Sequence, residues 1–276
     1  MFLQQTIAML AKGNAEVGVK LYLDAALTAD KLASIRSKEK QDEFGPIAYE
    51  LISQSFALYE ENAGDSKLQS RCIIAMVGTL LACRSLSKDD YERLIMKTAQ
   101  YAAKMLKKSD QCEMVSLCAH LFYVVGEDVS FEMKFAPTCE EIMVAYYFRL
   151  CFVLQDSVIY SNPQRALECL QRALKLADAC TSSNPANLRL FVDLLDRYLY
   201  FFENKNPSIT ASYITGLVAL IKEHADNLGQ FGGTDSSAIG EAKAHFAEIV
   251  RHIKRMKARP ATSELFASID LGNSNA

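Results

Sequence analysis

Metal or nucleophilic chemistry would have to come from eight cysteines and four histidines scattered over 276 residues. The cysteines are Cys72, Cys83, Cys112, Cys118, Cys139, Cys151, Cys169 and Cys180; none form CxxC, and most fall at apolar positions of helical spacing. A thiol so placed behaves as a small buried hydrophobe in a reducing compartment, whereas zinc and redox centres need closely grouped ligands. His245 and His252 stand seven apart on one helix face among Lys243, Arg251 and Lys254. Two ligands alone make a weak metal site, and the surroundings read as a solvated basic face. Gly232-Gly233 lacks the following lysine and the preceding strand of a phosphate loop. His120 and Cys118 are the one thiol–imidazole combination worth testing as a helical enzyme. Two residues apart on a helix they point in different directions, and a nucleophile also needs a low-pKa thiol in a cleft. No catalytic set and no cofactor site emerges, which leaves recognition.

Two clusters could serve it. The first is His120, alone among Met114, Val115, Leu117, Cys118, Leu121 and Phe122 on a helix apolar nearly all round. Such a histidine is either a satisfied core residue or the polar group at the heart of a protein contact, and the residues leave both open. The second is Lys104, Lys107 and Lys108, which an unbroken helix would place on one face. They are either a solvated face or a match for an acidic patch. Glu60 and Glu61 close an earlier helix, where carboxylates oppose the dipole; acids kept there beside a basic face suit a self-complementary two-fold contact.

Helices must position both clusters. Apolar spacing is helical almost throughout and nowhere alternates with period two. Half the residues are hydrophobic, so a sizeable core can be buried. A net charge of −3 gives no general pull toward nucleic acid or anionic membrane. No long uncharged apolar run reads as a membrane span, and MFLQQTIAMLAKGN lacks a basic start, so it reads as a first helix. Ser37–Glu43 reads as a solvated connection ended by Gly45-Pro46. Ser87, ahead of Asp89 and Asp90, opens a helix running to Lys107, and Ser109 and Asp110 cap the next. Asn162-Pro163, Asn184-Pro185 and Asn206-Pro207 each open a helix, and Gly229–Ser237 is a flexible loop. The expected fold is all-α: a HEAT-like α-solenoid of stacked antiparallel pairs, about ten or eleven helices, with a compact bundle as the alternative. The solenoid domain is expected over 1–258, with a flexible tail at 259–276.

LYEENAGDSK (Leu58–Lys67), AAKMLKKSDQC (Ala102–Cys112), CAHLFY (Cys118–Tyr123), ALECLQRALKLADAC (Ala166–Cys180) and RLFVDLLDRYLYFFE (Arg189–Glu203) occur in an order that resembles one family. It is the retromer large-subunit family, in its C-terminal region: α-solenoids that scaffold an endosomal recycling coat, cytoplasmic and peripheral on endosomal membranes. The resemblance implies that His120, Leu121 and Phe122 anchor the small retromer subunit of metallophosphoesterase fold (vacuolar protein sorting protein twenty-nine). It implies a homodimer in which Glu60 and Glu61 meet Lys104, Lys107 and Lys108. It also implies recruitment of acidic Leu-Phe tails of an actin-regulating complex, at a site the sequence does not place. A different solenoid adaptor, such as a clathrin-type coat piece, is the alternative. Asn62, Tyr123 and Ser109 depart from an acid, a Trp and a Pro of the family pattern. The stretch 124–161 is longer than the family leads one to expect, and Cys139–Gln155 reads as an extra apolar helix.

Overall fold

The computed structural model describes residues 2–35, 38–62, 64–124, 160–230 and 237–272. The helix expected at Cys139–Gln155 lies outside them, as do most of 124–161 and residues 231–236 of the expected loop. The described residues form eleven α-helices, and their only β-type pairing is an isolated bridge between Tyr123 and Ser161. Contacts divide the chain into two compact units, Met1–Asn162 and Pro163–Ala276.

The first unit holds α1 (Phe2–Ala11), α2 (Ala15–Ile35), α3 (Lys38–Asn62), α4 (Ser66–Ala82), α5 (Lys88–Ala103) and α6 (Lys108–Phe122). α2, α4 and α6 stack in a row; α1 and α3 lie against α2, and α5 against α4 and α6. This is how paired helices build a solenoid: each layer buries its apolar face against the next. Close approach is needed in two places. A Cβ on Gly18 would sit 2.6 Å from the Ala11 Cβ and 2.7 Å from Leu58 Cδ2, so α2 meets α1 and α3 nearly backbone to side chain. A Cβ on Gly45 would come 2.5 Å from the Ser85 carbonyl oxygen. The connection holding Ser85 is fixed by buried Asp30 of α2, which accepts from the amides of Arg84 (2.7 Å) and Ser85 (2.6 Å).

Three boundaries differ from the sequence reading. The expected solvated connection before Gly45-Pro46 is helical from Lys38, with Pro46 inside α3. An interior proline removes a backbone donor and crowds the carbonyl one turn earlier, yet here the helix continues through it with Gly45 lodged against Ser85. The helix opened by Ser87 starts as expected, its hydroxyl accepting from the Asp90 amide at 3.1 Å, but ends at Ala103 and not Lys107. Lys107, not Ser109 or Asp110, is the N-cap of α6.

The second unit holds α7 (Pro163–Ser183), a 3₁₀ turn (Pro185–Asn187), α8 (Leu188–Glu203), α9 (Ala211–Gln230), α10 (Ser237–Ala258) and α11 (Ser263–Phe266). Pro163 is the first residue of α7, as its missing amide favours. After Asn206-Pro207 the helix waits until Ala211, because Asn206 Oδ1 accepts from the Ser208 amide (2.9 Å) and holds a turn. α8 is the centre, packed on α7, α9 and α10 with eleven of its sixteen residues buried. Within the tail expected from residue 259, Phe266, Ile269 and Leu271 are buried. Their spacing is too short to show as a period, yet it turns all three inward.

Candidate functional site

The three lysines do not share a helix face; they ride the break between α5 and α6. Lys104 is the C-cap of α5, Lys107 the N-cap of α6, and Lys108 its first residue. Buried Gln111 makes the break, its side-chain amide donating to the carbonyl of Ala103. Met105 turns into the core at 3% exposure, while Leu106 beside it is 88% exposed. Lys107 Nζ pairs with Asp110 at 2.9 Å, and Ser66 donates to the same carboxylate at 2.7 Å. Burial pushes the Asp110 pKa up, but Lys107, Ser66 and Ser109 outweigh it and hold the carboxyl below its ordinary value. Lys108 Nζ donates to Gln111 Oε1 at 3.2 Å.

Glu60 and Glu61 end α3 exposed. Glu60 accepts from the Tyr101 hydroxyl (2.7 Å) and pairs with Lys97 (3.2 Å), which lies over the rings of Phe56 and Tyr101, 5.8 Å from each centroid. The Tyr101 bond, then Lys97, draws the Glu60 pKa down, and burial with Glu60 beside it drives Tyr101 well up. The Asn62 side-chain amide donates to the Leu58 carbonyl at 2.9 Å. A donor there completes the helix C-terminus, which a carboxylate would oppose. Acids and lysines therefore gather at one edge of the first unit. The 41-residue separation of Tyr101 and Glu60 gave no signal in the sequence.

The other cluster sits in α6. His120 is 8% exposed, Leu121 0% and Phe122 2%. Tyr91 donates to the Leu121 carbonyl at 3.2 Å, and the Asn162 amide to that of Phe122 at 2.6 Å. The Tyr160 ring lies tilted against that of Tyr91, centroids 5.6 Å apart and planes at 51°. Leu121 and Phe122 thus face the chain's own interior, where they hold the segment carrying His120.

The histidines of α10 are not a bare basic face. His252 Nε2 lies 2.6 Å from Glu203 and His245 Nδ1 3.8 Å from Asp193, both acids of α8 that the local sequence could not reveal. Among the described residues no three His, Cys, Asp or Glu side chains are grouped to hold a metal. Burial pushes the Cys72 thiol up to about 11 and Cys169 up to about 12, keeping both protonated. Cys118 is 1% exposed.

The family model for vacuolar protein sorting-associated protein 35 (Vps35) matches residues 1–224. The chain belongs to the Vps35 family. It is 34% identical over 225 residues to vacuolar protein sorting-associated protein 35 of Schizosaccharomyces pombe, covering 81% of this chain and 22% of that protein. It is 32% identical over 228 residues to protein 35A of Arabidopsis thaliana (80% and 24%). With protein 35B of the same plant it shares 31% over 262 residues (92% and 27%). The chain spans about a quarter of the length of these Vps35 relatives. Both clusters fall inside the Vps35 match, which ends within α9.

Proposed function

We propose that this chain is the helical scaffold portion of a retromer large subunit, with no chemistry of its own. In this reading the coat it builds is cytoplasmic and peripheral on endosomal membranes; no helix among the described residues is long and apolar enough to cross a bilayer. The phosphoesterase-fold subunit docks on α6 at His120, with Leu121 and Phe122 packed behind. Two copies associate through Glu60 and Glu61 against Lys104, Lys107 and Lys108. Acidic Leu-Phe tails of an actin-regulating complex are a further partner.

The observation that carries this is membership of the Vps35 family over residues 1–224. The exposed lysine break beside the exposed end of α3 supports the two-fold contact: one edge offers both signs of charge, as an isologous interface requires. The test is capture by the immobilised phosphoesterase-fold subunit. The unaltered chain should be retained. His120→Arg, which places a larger, permanently charged side chain at an 8%-exposed position, should be lost from the complex while its helical circular dichroism stays the same. Retention of His120→Arg takes His120 out of the contact; failure of the unaltered chain to bind overturns the reading.

A further inference from the structure

The last described residues lie in a groove of the second unit. The backbone turns at Arg259, whose carbonyl accepts from the amides of Thr262 and Ser263, and passes through α11. Phe266, fully buried, meets Phe202 of α8 edge-on with centroids 5.5 Å apart. Ile269 and Leu271 follow, 1% and 8% exposed. Three polar bonds from the long helices reach the main chain of this strap and not its side chains. Lys257 Nζ of α10 donates to the Ile269 carbonyl, and Lys222 Nζ of α9 to the Leu271 carbonyl. Thr215 Oγ1 of α9 accepts from the Asp270 amide at 2.9 Å. Gly272 closes the run at φ +62, where a Cβ would come 3.4 Å from Lys222 Nζ.

Bonds of this kind recognise the main chain of Ile269–Leu271 whatever its sequence, while the apolar seats read the side chains of Phe266, Ile269 and Leu271. Grooves that bind linear peptides divide the labour in the same way. The strap is short and tied to the unit at the Arg259 turn, so it can leave as one segment. It also lies beyond residue 224, outside the family match.

We propose that the groove framed by Phe202, Thr215, Lys222 and Lys257 is a linear-peptide site that residues 263–272 fill in cis. A segment of another protein bearing an aromatic residue, with aliphatic residues three and five positions later, exchanges with the strap. The strap is thereby an internal competitor that sets the affinity threshold for the outside ligand.

The test uses a fluorescent peptide of residues 261–272, titrated by anisotropy into the full chain and into the full chain carrying Phe266→Ser and Ile269→Ser. The substitutions remove the strap's own anchors and leave the groove intact. A tethered segment competes at an effective concentration on the order of millimolar, so the variant should bind at least about tenfold more tightly than the unaltered chain. Lys222→Ala added to the variant should weaken binding again. Equal affinity for both chains, no binding to the variant, or equally tight binding of a scrambled peptide overturns the proposal. Should the variant lose its helical signal, hydrogen exchange on the unaltered chain decides. Excess peptide should accelerate exchange at the Asp270 amide; unchanged exchange there overturns the proposal.

Discussion

Glu61→Lys and Lys108→Glu, made singly and together, put the two-fold contact on a quantitative footing. These two are chosen because neither makes an ion pair among the described residues, Lys108 donating only to the neutral Gln111 side chain, whereas Glu60 is held by Tyr101 and Lys97 and Lys107 by Asp110. Reversing those would break intrachain pairs as well. Opposite charges about 4 Å apart attract by about 1 kcal/mol in water, and exposed pairs are worth about 0.2–1 kcal/mol. Reversing one partner turns attraction into comparable repulsion, a swing of about 0.4–2 kcal/mol per contact. An isologous interface carries each contact twice, so either single variant should lose about 1–4 kcal/mol. That is roughly fivefold to a thousandfold in the dimer dissociation constant. Swapping both charges restores the attraction with its direction reversed, so the double variant should return close to the unaltered value. Sedimentation equilibrium at low and high salt reads all four proteins, and the differences should shrink at high salt as screening shortens the Debye length. A double variant as weak as the weaker single, salt-independent association, or an unaltered chain that stays monomeric would refute the pairing.

Gly18→Ala sets helix propensity against space. Alanine gains about 1 kcal/mol over glycine in a helix, but the new methyl lands 2.6 Å from the Ala11 Cβ, and overpacking of that kind costs about 1–3 kcal/mol. A net loss of about 1 kcal/mol in urea unfolding is expected; a stabilised variant would mean that α1 moves aside freely. Acid should weaken the α5–α6 break. The folded carboxyls of Asp110 and Glu60 titrate below 3.8 and 4.5, so their contribution is present above those values and lost as pH falls through the lower folded ones. Asp110 is the more sheltered, at 14% side-chain exposure against 50% for Glu60, so Asp110→Asn should flatten the acid limb of a melting-temperature profile more than Glu60→Gln. Phe191→Ala, at a fully buried position of α8, should cost about 3–5 kcal/mol and be seen in the thermal unfolding of the second unit.

Helices with a strong apolar period were plain in the sequence. Leu190, Phe191, Leu194, Leu195 and Tyr198 lie on one face of α8, and every one of them is buried. Local capping was equally plain at Ser87 and Pro163. Features decided from a distance were not. Nothing near Lys104 says that a helix stops there; the terminating bond comes from Gln111, across the break. Gly45-Pro46 reads as a stop because propensity is local, whereas the fit of Gly45 against Ser85 is tertiary. The candidate residues were nameable because their types and order carry a resemblance. Exposure was not, and it separates exposed Glu61 and Lys108 from the inward-facing Leu121 and Phe122. Likewise Asp193 and Glu203 lie some fifty residues from the histidines they meet.

Buried Asp30 gives the α4–α5 connection a character unlike that of an ordinary loop. Its carboxylate holds two successive amides of that connection, and the carbonyl of the second residue is pressed against Gly45 of a third helix. Added length here would unseat a joint shared by three layers, so the connection should resist insertions that surface loops commonly accept. The amide protons of Arg84 and Ser85 are correspondingly slow clocks: they meet water only when α2 parts from the connection, and their exchange rates report the breathing of the whole stack.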